Sequence, residues 1–517
     1  MKRYRIHPTL SSDFLRLRSD RTGLNSSKGH RGAAAPLPPY HSLTMTAPIP
    51  LRRRLFGNRT LNLRRIRAIG YDMDYTLVQY RIEEWERRAY HHTRRLLARR
   101  GWPVEGLDFD PARVIRGLTI DLEAGNLIKP TRFGYVIRAT HGTRFLEFEE
   151  QRTAYAGVVV DPADARFVFL NTLFTLSEAT LYAQLVDLLD AGRLGAVMSY
   201  AELYRVLRAT VDEAHLPGTL KEEILAEPRR FLEPDPETTT ALLDQRYAGK
   251  RLMLITNSDW DYARRLMEIS FDPRLPAGMK WRDLFDLIIV GSDKPGFFTE
   301  SRPLYRIADE EQGLMRPHHG DLEPGGVYFG GCASQVEEHL GLSGDEILYV
   351  GDHLYADVHV SKAVLRWRTA LILRELEQEI DDLEAFRPTE VTLRSLMDEK
   401  EDLERRQALA RLDRQRARHG YAPPSAPVPA DAEAQIARLQ EALVALDDRI
   451  GPLARAAGEI GNPFWGPLMR SGYDKSLFAR QVERYADIYT SRVSNFLYET
   501  PYAFLRAERS TLPHDPG

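Results

Sequence analysis

Asp72 and Asp74 stand two residues apart in IGYDMDYTLVQY, residues 69–80, after a mostly apolar run and just before Thr76. Carboxylates near a sheet core are costly unless something pairs with them. A carboxylate at a strand end beside a divalent cation stays ionised and can attack phosphorus, forming an aspartyl-phosphate. A second carboxylate two residues on faces the same side of an extended chain. It can protonate the leaving oxygen and then deprotonate the water that hydrolyses the intermediate. Asp72 fits the nucleophile and Asp74 the acid/base.

Three later segments offer the rest of that chemistry. Thr256, Asn257 and Ser258 supply a hydroxyl, an amide and backbone N–H groups suited to phosphate oxygens. Lys294, just before Pro295, supplies a point cation for the phosphoryl charge. Asp352 and Asp357, in GDHLYAD, supply oxygens for a hard cation such as Mg²⁺, which needs only two or three from protein. Each motif alone is ordinary turn or cap chemistry. Together, in this order, they make the set that phosphoryl transfer requires: nucleophile, acid/base, cation and metal ligands.

These residues sit at the polar ends of apolar runs: RAIGYDMD (67–74), RLMLITNSD (251–259), LFDLIIVGSDK (284–294) and EILYVGDH (346–353), with RTALIL (368–373) following. Short apolar runs closed by polar residues suit buried parallel strands. Helical patterns between most of them predict an open, Rossmann-like α/β sheet with its ligand site at the strands' carboxyl ends.

The fold is expected to begin at residue 62, with 62–95 and 236–375 forming the sheet domain. Residues 96–235 are too long for a loop and read as an inserted cap. The cap has strand-like turns in 125–142 and helical patterns in 177–192 and 200–215. Residues 376–460 read as a charged helical hairpin. Its heptad seam is Ile436, Leu439, Leu443, Leu446, Ile450 and Leu453, and GYAPPSAPVPA (420–430) breaks it. Residues 461–517 are rich in aromatics, and must pack on the core or in an oligomer interface.

Composition sets bounds. The 517 residues hold 71 Lys plus Arg against 74 Asp plus Glu, a formal charge of −3, which gives no argument for a nucleic-acid partner. No apolar run reaches the roughly 18 residues of a membrane span. The single cysteine, Cys332, excludes an internal disulfide framework and points to a reducing cytoplasm. Residues 1–61 are expected to be disordered or a mis-assigned extension, with Met45 an alternative start. The first fifty residues are basic and lack the apolar core of a secretory signal.

The stretches GYDMDYTL, RGLTIDLEAGNLIK, FLNTLF, LITNSDWDY, DKPGFF, GDHLYADV and NPFWGPLMRSG resemble the haloacid dehalogenase superfamily of phosphohydrolases. Within it they resemble the cytosolic purine 5'-nucleotidases that prefer IMP and GMP, from about residue 62 to 514. The resemblance implies Mg²⁺ held by Asp72, the main-chain carbonyl of Asp74, and Asp352, with Asp357 close by. Thr256, Asn257, Ser258 and Lys294 would bind the phosphoryl group. Phe174 would stack on the purine, Arg208, Asp212 and His215 would read its polar edge, and Lys221 would lie near the phosphate. The i, i+4, i+7 spacing of Arg208, Asp212 and His215 puts them on one helical face.

The chain departs from the family in places. Leu216 stands where the family has a second aromatic. An effector site for nucleotides matches at Asn171, Gln481 and Arg484, but Asp161 and Ala363 replace two cations, which weakens attraction for a polyphosphate. The resemblance further implies transfer of the phosphoryl group to nucleosides, and homodimers or homotetramers. Two other readings stay open at this level: a phosphatase of another small phosphate ester, and a nucleotide-sensing scaffold.

Overall fold

The apolar runs ending at the candidate residues form strands of one sheet. The computed structural model describes residues 48–195, 197–214, 220–421 and 432–508. Among them, ten strands form the main sheet. In chain order these are β1 (Phe56–Gly57), β2 (Ala68–Tyr71), β3 (Arg251–Ile255), β4 (Leu287–Val290), β5 (Leu304–Asp309), β6 (Leu314–Pro317), β7 (Gly326–Gly330), β8 (Ile347–Gly351), β9 (Arg368–Ile372) and β10 (Ile488–Thr490). Their order across the sheet is β1-β10-β9-β8-β2-β3-β4-β7-β5-β6. The stretch from β10 to β7 is parallel throughout, and β1, β5 and β6 add antiparallel edges.

Strands β2, β4 and β8 are buried along their whole length, and β3 is buried apart from Arg251, as expected of a parallel sheet covered on both faces. From β2 the chain moves outward through β3, β4 and β7, then returns to β8 on the other side of β2. The order reverses there, so the crevice of an open α/β sheet lies at the carboxyl ends of β2 and β8.

Residues 51–61, expected outside the fold, are part of it. Leu55 and Leu61 are buried. Phe56 pairs with Tyr489, and Leu61 with Leu505. These partners lie at the far end of the chain, so no local pattern announces them. Residues 1–47 lie outside the described residues.

The segment between β2 and β3 opens and closes on itself, since Gln79–Tyr80 pairs antiparallel with Leu232–Glu233. It contains a five-stranded antiparallel sheet, Arg144–Phe145, Val136–His141, Asn126–Pro130, Thr119–Asp121 and Phe167–Phe169 in spatial order. Asp121 is buried and takes a two-pronged ion pair from Arg166 at 2.9 and 2.8 Å. The helices Leu176–Asp190 and Tyr200–Ala214 follow.

Beyond β9, helices Leu376–His419 and Ala432–Gly458 pack side by side, with Leu396, Leu446 and Ile450 buried between them. Leu439 and Leu443 are buried on the same seam. The aromatic segment also packs inward: Trp465 is buried, and Lys129 Nζ donates to the main-chain carbonyls of Trp465 and Pro467. No described helix is long and apolar enough to cross a membrane.

Candidate active site

Asp72 follows the last residue of β2, and its N–H donates to Val350 of β8 at 2.9 Å, extending the ladder to the crevice. Asp352 follows β8, and Asp357 lies one turn on, in the π-helical turn Leu354–His359. Carboxylate oxygens of Asp72, Asp352 and Asp357, all buried, lie within 4.8 Å of one another. Lys294, after β4, reaches back with Nζ 2.8 Å from Asp72 Oδ1 and 2.7 Å from Asp357 Oδ1. The Tyr349 hydroxyl accepts from the same ammonium at 3.0 Å and donates to the Ile255 carbonyl at 3.0 Å.

Asp74 takes a different direction. One oxygen accepts from the Tyr80 hydroxyl and the other from Ser258 Oγ, the latter at 2.9 Å. Tyr75 beside it holds a left-handed φ of 54°, a conformation uncommon for a bulky residue and frequent at functional sites.

The electrostatics separate the carboxylates. Burial pushes Asp72 up to about 6, against the pull of Lys294. Burial and the Asp72 charge raise Asp74. Burial, then Asp357 and Asp72, raise Asp352 well above the ordinary range. Burial alone would depress Lys294, but the carboxylates of Asp357 and Asp72 outweigh it and hold the ammonium charged. Three buried carboxylates around one ammonium leave surplus negative charge, and a hard divalent cation fits that donor set.

A cleft of about 510 Å³ opens beside Asp74. Phe174, Arg208, Asp212, Lys221, Asn257, Ser258 and Lys294 all line it. Phe174 sits against Tyr75, ring centroids 4.7 Å apart, and Trp85, at 5.4 Å. Arg208 pairs with buried Glu178 at 2.7 Å and with Asp212 at 2.9 Å. Lys221 pairs with Asp259 at 2.9 Å. His215 and Leu216 lie outside the described residues.

A model of the 5' nucleotidase family matches residues 55–517. The chain belongs to that family. Over 483 residues it is 28% identical to a 5'-nucleotidase domain-containing protein of Dictyostelium discoideum, covering 89% of this chain and 74% of that protein. Over 480 residues it is also 28% identical to 5'-nucleotidase domain-containing protein 2 of Homo sapiens, covering 89% and 85%. A solved haloacid dehalogenase-like hydrolase of Xanthomonas campestris aligns at 14% identity and a TM-score of 0.23, over 59% of this chain and 82% of that one. A score that low carries no argument.

Membership of the 5' nucleotidase family makes the protein a phosphoric monoester hydrolase, with nucleotidase or phosphatase activity. Within this nucleotidase, two side chains expected on the phosphoryl group also make contacts inside the protein. Asn257 Oδ1 accepts from Ser292 Oγ at 2.8 Å and from the Lys294 N–H at 2.6 Å, so it shapes the loop bearing Lys294. Thr256 Oγ1 accepts from the Ser258 N–H at 3.1 Å.

Of the residues expected at an effector site, Gln481 and Arg484 share the helix Leu477–Tyr485. No hydrogen bond or ion pair among the described residues joins Asn171, Gln481 and Arg484. Asn171 donates to the Phe169 carbonyl at 3.3 Å, Gln481 is buried, and Arg484 lies over the Tyr485 ring at 5.2 Å. Asp161 and Ala363 are exposed.

Sequence reasoning missed several residues of the nucleotidase site. Tyr349, Glu178 and Thr172 act through contacts with residues distant in the chain, and only the FLNTLF motif flags Thr172, while Tyr80 bonds to Asp74 six residues before it. His353 also lines the cleft. Its Nδ1 accepts from the Ala356 N–H at 3.0 Å, which requires the neutral ring, and burial pushes its pKa down to about 3.

Proposed function

We propose that this protein is a Mg²⁺-dependent 5'-nucleotidase that hydrolyses purine nucleoside 5'-monophosphates, IMP and GMP before others, through an aspartyl-phosphate. The supporting observation is the meeting of Asp72, Lys294, Asp352 and Asp357 at one crevice, beside a cleft with an aromatic wall and an Arg/Asp pair.

Asp72 Oδ attacks phosphorus and the bond to O5′ breaks. Asp74, whose raised pKa favours the protonated form, gives its proton to O5′. Asp74 then takes a proton from water, which attacks the aspartyl-phosphate, releases phosphate and restores Asp72. Tyr80 and Ser258 hold the Asp74 carboxyl in place for both transfers. Lys294 balances charge on the phosphoryl oxygens, and the Asn257 backbone N–H serves the same group, since those of Thr256 and Ser258 donate within the protein. Asp72, the Asp74 carbonyl and Asp352 would hold Mg²⁺, with Asp357 nearby, and the bound cation would neutralise the transferring phosphoryl group. A nucleoside hydroxyl replacing the water gives phosphotransfer.

In this reading residues 96–235 act as the cap. Phe174 stacks on the base, Arg208, Asp212 and His215 read its edge, and Lys221 guides the phosphate. The enzyme works in the cytoplasm, as a homodimer or homotetramer. Loss of two cations leaves little activation by ATP.

The test is steady-state kinetics on IMP, GMP, AMP and a pyrimidine monophosphate, with and without ATP. The expected result is a higher kcat/KM for IMP and GMP and a small ATP effect. Equal kcat/KM for all four would overturn the purine assignment.

A further inference from the structure

Two residues of the segment inserted between β2 and β3 hold Asp352 from different directions. Thr172 Oγ1 donates to Asp352 Oδ2 at 3.0 Å, and both residues are buried. Arg116 Nη1 donates to the main-chain carbonyl of the same Asp352 at 3.3 Å. The Arg116 side chain is 0% exposed, and its Nη2 pairs with Glu375 at 2.5 Å. Its guanidinium lies 5.6 Å from the ring centroid of Phe478, on the helix Leu477–Tyr485.

An arginine stripped of water is costly and persists where its N–H groups are matched. Here Nη1 is matched by a loop carbonyl and Nη2 by a carboxylate, while Nε is buried without a partner. The threonine hydroxyl engages one oxygen of Asp352 and so restrains the rotamer of a carboxylate that lies within 4.8 Å of those of Asp72 and Asp357. Outer partners of this kind orient metal-binding carboxylates, and their loss typically weakens metal affinity.

We propose that Thr172 and Arg116 are positioning residues for Asp352, so that the inserted segment completes the cation site which the sheet alone leaves loose. The inference rests on the reading of Asp352 as a cation ligand. Thr172 also leads directly into the turn Leu173–Thr175 that carries Phe174. One short stretch thereby serves both the cation loop and the aromatic wall of the cleft.

The experiment is direct Mn²⁺ binding to the full chain, read from the electron paramagnetic resonance signal of free Mn²⁺, without substrate. Thr172→Val and Arg116→Lys are each expected to weaken binding about 10-fold or more. Thr172→Ser, which retains the hydroxyl, keeps the wild-type affinity, and Asp352→Asn loses binding. Wild-type affinity in Thr172→Val and Arg116→Lys, with binding lost in Asp352→Asn, overturns the proposal alone. Undiminished binding by Asp352→Asn overturns the reading of the site beneath it. Should Arg116→Lys fail to fold, the Thr172 pair decides, because valine replaces threonine with no change in shape.

Discussion

The Lys294 ammonium bridges Asp72 and Asp357 at 2.8 and 2.7 Å inside a buried site. Lys294→Met removes the charge and keeps the bulk, leaving both carboxylates without their counter-ion. Breaking a buried pair in this way costs about 3–5 kcal/mol, and thermal denaturation in a chelator is expected to show it. Saturating Mg²⁺ is expected to recover part of the loss. Asp72→Asn preserves shape and removes the proposed nucleophile, so phosphate release is expected to fall on the order of 10⁴-fold or more. Survival of most of the activity would exclude Asp72 as nucleophile. Asp72, Asp74, Lys294, Asp352 and Asp357 were legible as strand-end residues because each follows closely on an apolar run of the kind that suits a buried strand. Arg116 and Thr172 stand in two of the quoted motifs, but their contacts with Asp352, 236 and 180 residues away, were not legible.

Elements bring these residues together because β2, β3, β4 and β8 run parallel and end on one side. Strands β7 and β10 escaped the sequence reading. GVYFG is framed by glycines, and IYT is three residues long. Their stability comes from neighbours paired across the sheet, a signal no local window contains. Gly351, the last residue of β8, shows how tightly an element can bind a site: a Cβ there would lie 2.4 Å from Asp357 Oδ2. Gly351→Ala is therefore expected to displace that carboxylate, costing about 1–3 kcal/mol in chemical denaturation and most of the activity. Lys129 makes a comparable tie between the strand Asn126–Pro130 and the carbonyls of Trp465 and Pro467. Burial pulls its pKa from 10.5 down to about 7. Between those values the unfolded chain binds the extra proton, so this group's contribution to stability rises with pH across that window. Below about 7 the buried charge carries its full cost. Lys129→Met leaves two carbonyls without a donor, a loss of about 1–3 kcal/mol. Urea denaturation is expected to show a larger loss at about pH 9 than at about pH 6, and an equal loss would reject the neutral buried amine.

At the scale of the whole molecule, the two ends of the described chain close one edge of the sheet. β1 covers β10, which would otherwise be the edge strand, and Leu61–Asn62 pairs with Phe504–Leu505. Thr490 Oγ1 and Ser491 Oγ donate to the carbonyls of Arg54 and Arg52 at 2.9 and 3.1 Å. The seam lies two strands from β8, so its integrity bears on the backbone that presents Asp352. Removing residues before 63 strips Leu55 and Leu61 from the core, about 1.5–3 kcal/mol each, and leaves β10 with unpaired N–H and C=O groups. A chain starting at Leu63 is expected to melt well below one starting at Met45, to aggregate at lower protein concentration, and to lose activity in proportion to its unfolded fraction. Equal melting temperatures and equal kcat for the two would mean that the terminal seam is ornamental. In that case the catalytic sheet would be complete with β10 as its own edge.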